Sequence, residues 1–398
     1  MLALFALASA LSIPICNTEN LAQHVRAAQA SLFSIRDSPD DLPIDAPPLA
    51  QHGVPELRAA ISTAVTGYMQ CDAAGITDPA FLQSGLAAAL NANRPVSAVE
   101  QQHGYPEHTY GDDLKIQVVR FRGRDNTIAV DASFSIACGE DNILLLFKRE
   151  SDHWFRMLDW HSDKYTKPSD AFGNFFLYTS APGANGTDLI AVAHGHPWCT
   201  SRFSFFDLDL LQPATPQTPQ KHMANTKSDY SRGDTDGTLK PATDGITLRL
   251  DASSRDLEGV FTFIGVFRYK TTLNTLERMP VANNARDFVD SWLDESWSVA
   301  DRWSAQPSQN LHLVHDRFDY SIGSKDKNVP NISYGPVRAC SDANKFQVEM
   351  VLDETKQSSP RLYAQVRQNV GSFTMLAITS PPDPTCTGPD LMAKHTKY

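Results

Sequence analysis

At 398 residues the chain is too long for one ordinary core, and at about 150 residues per domain it suggests two or three units. Apolar residues make up 41% and charged residues 20%, enough to bury a core and inconsistent with a disordered chain. A net charge of −11, with no run of Lys and Arg among aromatics, excludes binding to nucleic acid by phosphate neutralisation.

Residues 1–15 are almost wholly apolar and carry small residues, Ala8, Ser9 and Ala10, near their end. They read as a secretory signal segment, although no Lys or Arg precedes Arg26. No later stretch approaches the 18 or so continuous apolar residues of a spanning helix. A secreted or periplasmic location is expected. Six cysteines, none in a CxxC pair, agree with export and argue against zinc ribbons and thioredoxin-type redox sites. Pairing of sequence neighbours is expected: Cys16 with Cys71, Cys138 with Cys199, Cys340 with Cys386.

Residues 16–95 read as a helical region. Leu21, Val25, Ala28 and Leu32 recur at helical spacing. A Pro-rich connection over 39–48 follows, and Pro55 then suits the first position of a second helix carrying Leu57, Ile61, Val65, Tyr68 and Met69. A third helix is expected after Asp78-Pro79, with Phe81, Leu82, Leu86 and Leu90.

After Pro95 the period changes to that of strands. Short aromatic and β-branched runs at 114–121, 127–137, 143–149 and 154–160 are separated by turn formers at 123–126, 139–142 and 150–152. The rhythm continues at 175–180, 189–194 and 203–211. Residues 212–245, rich in Pro, Thr, Gln and Asp, read as a disordered loop. Strands resume at 246–250 and 260–269, and a helix is expected over 285–303, capped by Asn283 or Asn284. In the last ninety residues Phe346, Val348, Met350 and Leu352 alternate with polar neighbours, as do Leu362, Ala364 and Val366, and Phe373, Met375 and Ala377.

The expected fold is therefore mainly β: antiparallel sheets, sandwich or propeller-like, with a small α-helical N-terminal region. The expected units are 1–15 (signal segment), 16–95 (helical), 96–305 (β-rich, with the loop at about 212–245) and 306–398 (antiparallel sheet).

The strongest chemical candidate is His194-Gly195-His196-Pro197-Trp198 at the end of an apolar strand. Two His separated by one residue point to the same side of a strand and can reach one divalent metal. Asp207 and Asp209 on the next strand would supply carboxylates if the hairpin register brings them near. Trp198 is the candidate ligand-stacking residue. His312 and His315 lie on an expected strand and would face opposite sides. Asp234-Thr235-Asp236-Gly237 resembles part of a calcium loop but lacks its closing acid, and reads as a turn. Asp112-Asp113 also reads as part of a turn. Two N-glycosylation sequons occur, Asn185-Gly186-Thr187 and Asn331-Ile332-Ser333. No GxSxG, GxGxxG or GxxxxGK[ST] motif is present, so nucleophile-elbow hydrolysis and nucleotide cofactors are not indicated.

Two function classes follow. One is a ligand-binding or interaction module of the cell envelope or extracellular space, taking a protein or saccharide ligand. The other is a metal-dependent hydrolase using His194 and His196. The sequence leaves open whether the protein is an enzyme.

Overall fold

The structure is a computed structural model and describes residues 18–35, 46–91, 110–136, 139–161, 175–196, 203–231, 237–253, 262–318, 332–352 and 360–392. The signal segment, Cys16, Cys138, Trp198, Cys199, residues 234–236 and Asn331 lie outside them. The fold is mainly antiparallel β, as expected. Four sheets of four strands each take their strands in chain order. Each sheet is a four-stranded meander of consecutive strands. The chain divides into two compact units, one built mainly from residues before Leu177 and one mainly from residues after it.

In the first unit, α1 (Thr18–Leu32), α2 (Pro48–Cys71) and α3 (Pro79–Asn91) cover one face of a sheet. Its strands are β1 (Lys115–Arg120), β2 (Thr127–Ile136), β3 (Gly139–Glu150) and β4 (His153–Trp160). One core joins the helices to that sheet: Val25, Leu32, Leu57, Ile61, Leu82 and Leu86 pack with Ile128, Val130, Phe134, Leu145 and Phe147. Each such side chain contributes about 1.5–3 kcal/mol on burial. Glycine lets α1 and α2 approach closely. A Cβ at Gly53 would sit 2.5 Å from Leu32 Cδ2, and one at Gly67 would sit 2.4 Å from Leu21 Cδ1.

Two expectations need correction here. The second helix starts at Pro48, so Pro55 lies inside it. Pro48 lacks an N–H that the first turn would leave unbonded anyway. Around Pro55, the buried Val54, Leu57 and Ile61 hold the helix through tertiary packing. Residues 139–142, expected as a turn, open β3 and pair with 133–136 of β2. Asp141 is fully buried there against Arg58 of α2, with Arg58 Nε donating to its Oδ2 at 2.9 Å. The turns at Gly123–Asn126 and Ser151 do form, with positive φ at Gly123, Asn126 and Ser151.

The second unit holds the other three sheets. One is β5 (Phe176–Pro182), β6 (Asp188–Gly195), β7 (Phe203–Gln212) and β8 (Lys221–Ser231). The next is β9 (Thr238–Ala242), β10 (Gly245–Ser253), β11 (Thr262–Lys270) and β12 (Glu277–Arg278). The last is β13 (Ile332–Ala339), β14 (Lys345–Leu352), β15 (Arg361–Asn369) and β16 (Ser372–Thr379). The stretch 212–245, expected as a loop, therefore contains β8 and β9. β8 is an outer strand with exposed or half-buried side chains up to Tyr230, so it carries no apolar alternation to read.

Helices α4 (Ala285–Asp294), α5 (Trp297–Ala300) and α6 (Gln309–Phe318) pack on the last sheet. Asn284 caps α4, its Oδ1 accepting from Asp287 N at 3.0 Å. The single helix expected over 285–303 breaks at Glu295, whose backbone is extended. The break folds residue 300 back so that Trp292 Nε1 donates to Ala300 O and to Ser304 Oγ, both at 3.0 Å. Glu295 meanwhile pairs with Arg278 at 3.2 Å, and the guanidinium lies 4.7 Å from the ring centroid of Phe267 and 5.7 Å from that of Trp303.

Val348, Met350, Ala364, Val366, Phe373 and Met375 form the sheet side of this core, as their alternation requires. A register shift beside Leu376 moves Ile378 rather than Ala377 onto the core face. Cys340 and Cys386 form the expected disulfide. Cys71 is also disulfide-bonded, to a partner outside the described residues.

Candidate metal centre

β6 is an apolar run, with Leu189 to Ala193 fully buried, and it ends at His194 and Gly195. His194 and His196 are 3% and 7% exposed. On β7, Phe206, Leu208 and Leu210 face the interior, so alternation turns Asp207 and Asp209 to the other side. One ligand atom from each of His194, His196 and Asp207 lies within 4.8 Å of the others, the one such group of His, Cys, Asp or Glu among the described residues. The HxH spacing and the following strand offered His194, His196, Asp207 and Asp209 as candidates.

Asp209 does not join this group. It stands behind it. Its Oδ2 lies 3.6 Å from His194 Nε2, and its Oδ1 accepts from Asn225 Nδ2 at 2.8 Å and meets His222 Nε2 at 2.8 Å. Burial works against charge on this carboxyl. The hydrogen bond and charge of His194, with the hydrogen bonds of Asn225 and His222, outweigh it and hold Asp209 well below the usual carboxylate range. A carboxylate behind a ligating imidazole fixes its orientation and raises its basicity.

The donor set is two imidazoles and one carboxylate, which suits a first-row divalent cation such as zinc. Bonds of about 2.0–2.2 Å place donors roughly 3 Å apart, so binding would draw the three side chains inward by less than about 2 Å. Sequence reasoning missed His222 and Asn225 because both fall in the stretch read as a loop. It offered Asp209 beside Asp207 as a further ligand, not as a partner of His194.

The other candidates resolve differently. Residues 309–318 are helical, not a strand. His312 stacks on Trp297 with ring centroids 4.3 Å apart and lies 3.4 Å from Asp316. His315 is fully buried, meets Trp292 edge-on and places Nε2 2.9 Å from Glu295 O. The two imidazoles thus pack the α5–α6 corner. Asp113 has a positive φ, as its turn reading requires, and Asp112 accepts from its backbone N–H. Trp154, Trp160, Trp292 and Trp303 are buried, and Trp297 is half-buried.

Among the described residues no helix is long and apolar enough to cross a membrane. The sequence matches no family model and no curated protein. Among solved structures, a match is found to the GH93 alpha-L-arabinofuranosidase of Fusarium graminearum in complex with arabinobiose. It is 8% identical, covers 70% of this chain and 68% of that one, and has a TM-score of 0.28, at which the likeness carries no weight for fold or function.

Proposed function

We propose that this protein binds a divalent transition metal through His194, His196 and Asp207, and that the metal serves hydrolytic chemistry in an oxidising compartment. The observation that carries the reading is the convergence of those three donors on one another. Three protein ligands leave a coordination position for water or substrate, the arrangement of catalytic rather than structural zinc sites. A cation there supplies Lewis-acid polarisation and lowers the pKa of water. Asp209 holds the His194 ring for ligation, and Asn225 and His222 hold Asp209 in turn. The disulfide between Cys340 and Cys386 supports the choice of compartment.

The test is metal content after gentle purification, beside a thermal-shift titration with Zn²⁺ and Mn²⁺. Wild type should hold close to one equivalent, and the His194→Ala/His196→Ala variant should hold none. Asp209→Asn should bind roughly 10–100-fold more weakly while keeping the ligand set. Equal metal content in wild type and double variant overturns the site. Metal binding without chelator-sensitive hydrolysis of ester, peptide, phosphoester or glycoside substrates overturns the hydrolytic assignment and leaves the binding module.

A further inference from the structure

The two sequons sit in different surroundings. Asn185-Gly186-Thr187 forms the tip of the turn that joins β5 to β6. The base of that turn is tight. Gly183 N donates to Thr187 O at 2.6 Å, Thr187 N donates to Ala184 O at 3.0 Å, and Ala184 N donates to Asn274 Oδ1 at 2.8 Å. A Cβ at Gly183 would meet Asn274 Oδ1, Leu189 Cγ and Thr187 O, each at 2.8 Å. The tip is open. Asn185 and Gly186 are exposed, and a Cβ at Gly186 would meet nothing within 4 Å. Asn185 itself has a φ of 55°, a left-handed conformation that Asn adopts more readily than most residues. In the other sequon, Ile332 and Ser333 are 1% and 3% exposed and lie in the β13 ladder.

We infer that Asn185 is an N-glycan attachment site: it is exposed at the tip of a turn whose base is tightly hydrogen-bonded. The co-reactant is a lipid-diphosphate-linked oligosaccharide. Asn185 Nδ2 bonds to the anomeric carbon of the first sugar, the bond from that carbon to the diphosphate oxygen breaks, the amide loses one proton, and the lipid diphosphate leaves. No redox partner is needed. The inference depends on export and is independent of the metal centre.

The experiment is peptide mapping by mass spectrometry of the full chain secreted from a eukaryotic host, with and without enzymatic deglycosylation. Most chains should carry glycan at Asn185, and deglycosylation should leave Asp there. Asn185→Asp should abolish the glycan while tolerating the left-handed turn. Thr187→Val, which removes the hydroxyl, should abolish it too, and Thr187→Ser should keep it. An unmodified Asn185 in protein that carries the Cys340–Cys386 disulfide overturns the inference. So does retention of unmodified chain inside the cell, or glycan confined to Asn331.

Discussion

Replacing Asp141 with Ala would leave the guanidinium of Arg58 in an interior where its own side chain is 1% exposed and that of Asp141 is fully buried. Removing one member of such a pair costs about 3–5 kcal/mol, because the other charge stays desolvated. Arg cannot shed its proton, so Asp141→Ala leaves a buried charge with no way to neutralise itself. Arg58→Met leaves the opposite problem and an escape from it. Burial already pushes the Asp141 carboxyl up, with Arg58 partly restraining it, and without Arg58 the group can fold protonated. Protonation relative to an unfolded pKa near 3.9 costs about 1.4 kcal/mol per pH unit, hence about 1.5 kcal/mol at pH 5, reaching the 3–5 kcal/mol range by about pH 7. Arg58→Met combined with Asp141→Leu should cost clearly less than the two single losses together. Urea unfolding at pH 5 and pH 7.5, followed by fluorescence of Trp154 and Trp160, measures all three variants. A loss under about 1 kcal/mol for Asp141→Ala, a pH-independent loss for Arg58→Met, or simple additivity would refute the reasoning.

Asp131 gives a pH signature of its own. Burial, opposed by the Asn142 hydrogen bond and aided by Glu140, pushes its carboxyl up to about 6. Between pH 4 and 6 the folded state then holds a proton that the unfolded state has released, so stability falls as pH rises through that window, by up to about 3 kcal/mol, and levels off above it. Asp131→Asn should flatten the profile, and matching slopes in wild type and variant would sink the assignment. Replacing both Cys340 and Cys386 with Ala opens a link 46 residues apart in sequence, for which loop closure predicts a loss of roughly 4 kcal/mol. A change in urea midpoint too small to register would show that the reduced chain already confines this loop.

Much of the fold was legible where one face of an element is buried. Met350 and Val366 announced the last sheet because only alternate residues of β14 and β15 reach its core. Leu57, Ile61 and Val65 announced α2 for the corresponding reason at helical period. Elements with no such contrast were not legible. β8 is polar along most of its length and is a strand because β7 supplies its hydrogen bonds. Residues 309–318 look like a strand by local composition, yet Leu311, His315 and Phe318 are spaced to face a neighbour as a helix. Residues 139–142 have the composition of a turn. Asp141 sits in a strand because Arg58, 83 residues earlier, neutralises it there.

The same division runs through the site. The sequence by itself placed His194 at the end of an apolar strand, and Asp207 and Asp209 on one side of the next, because the two-residue period of a strand is local geometry. It also suggested Cys340 with Cys386, as sequence neighbours bracketing one sheet, and the structure shows that pair. Only the tertiary structure decided which carboxylate joins the group and which stands behind it. Asp207 and Asp209 have the same side of β7 available to them, and the choice between them follows from where β8 brings His222 and Asn225. Those contacts are set by how strands pair across a sheet, a long-range property that no local pattern encodes.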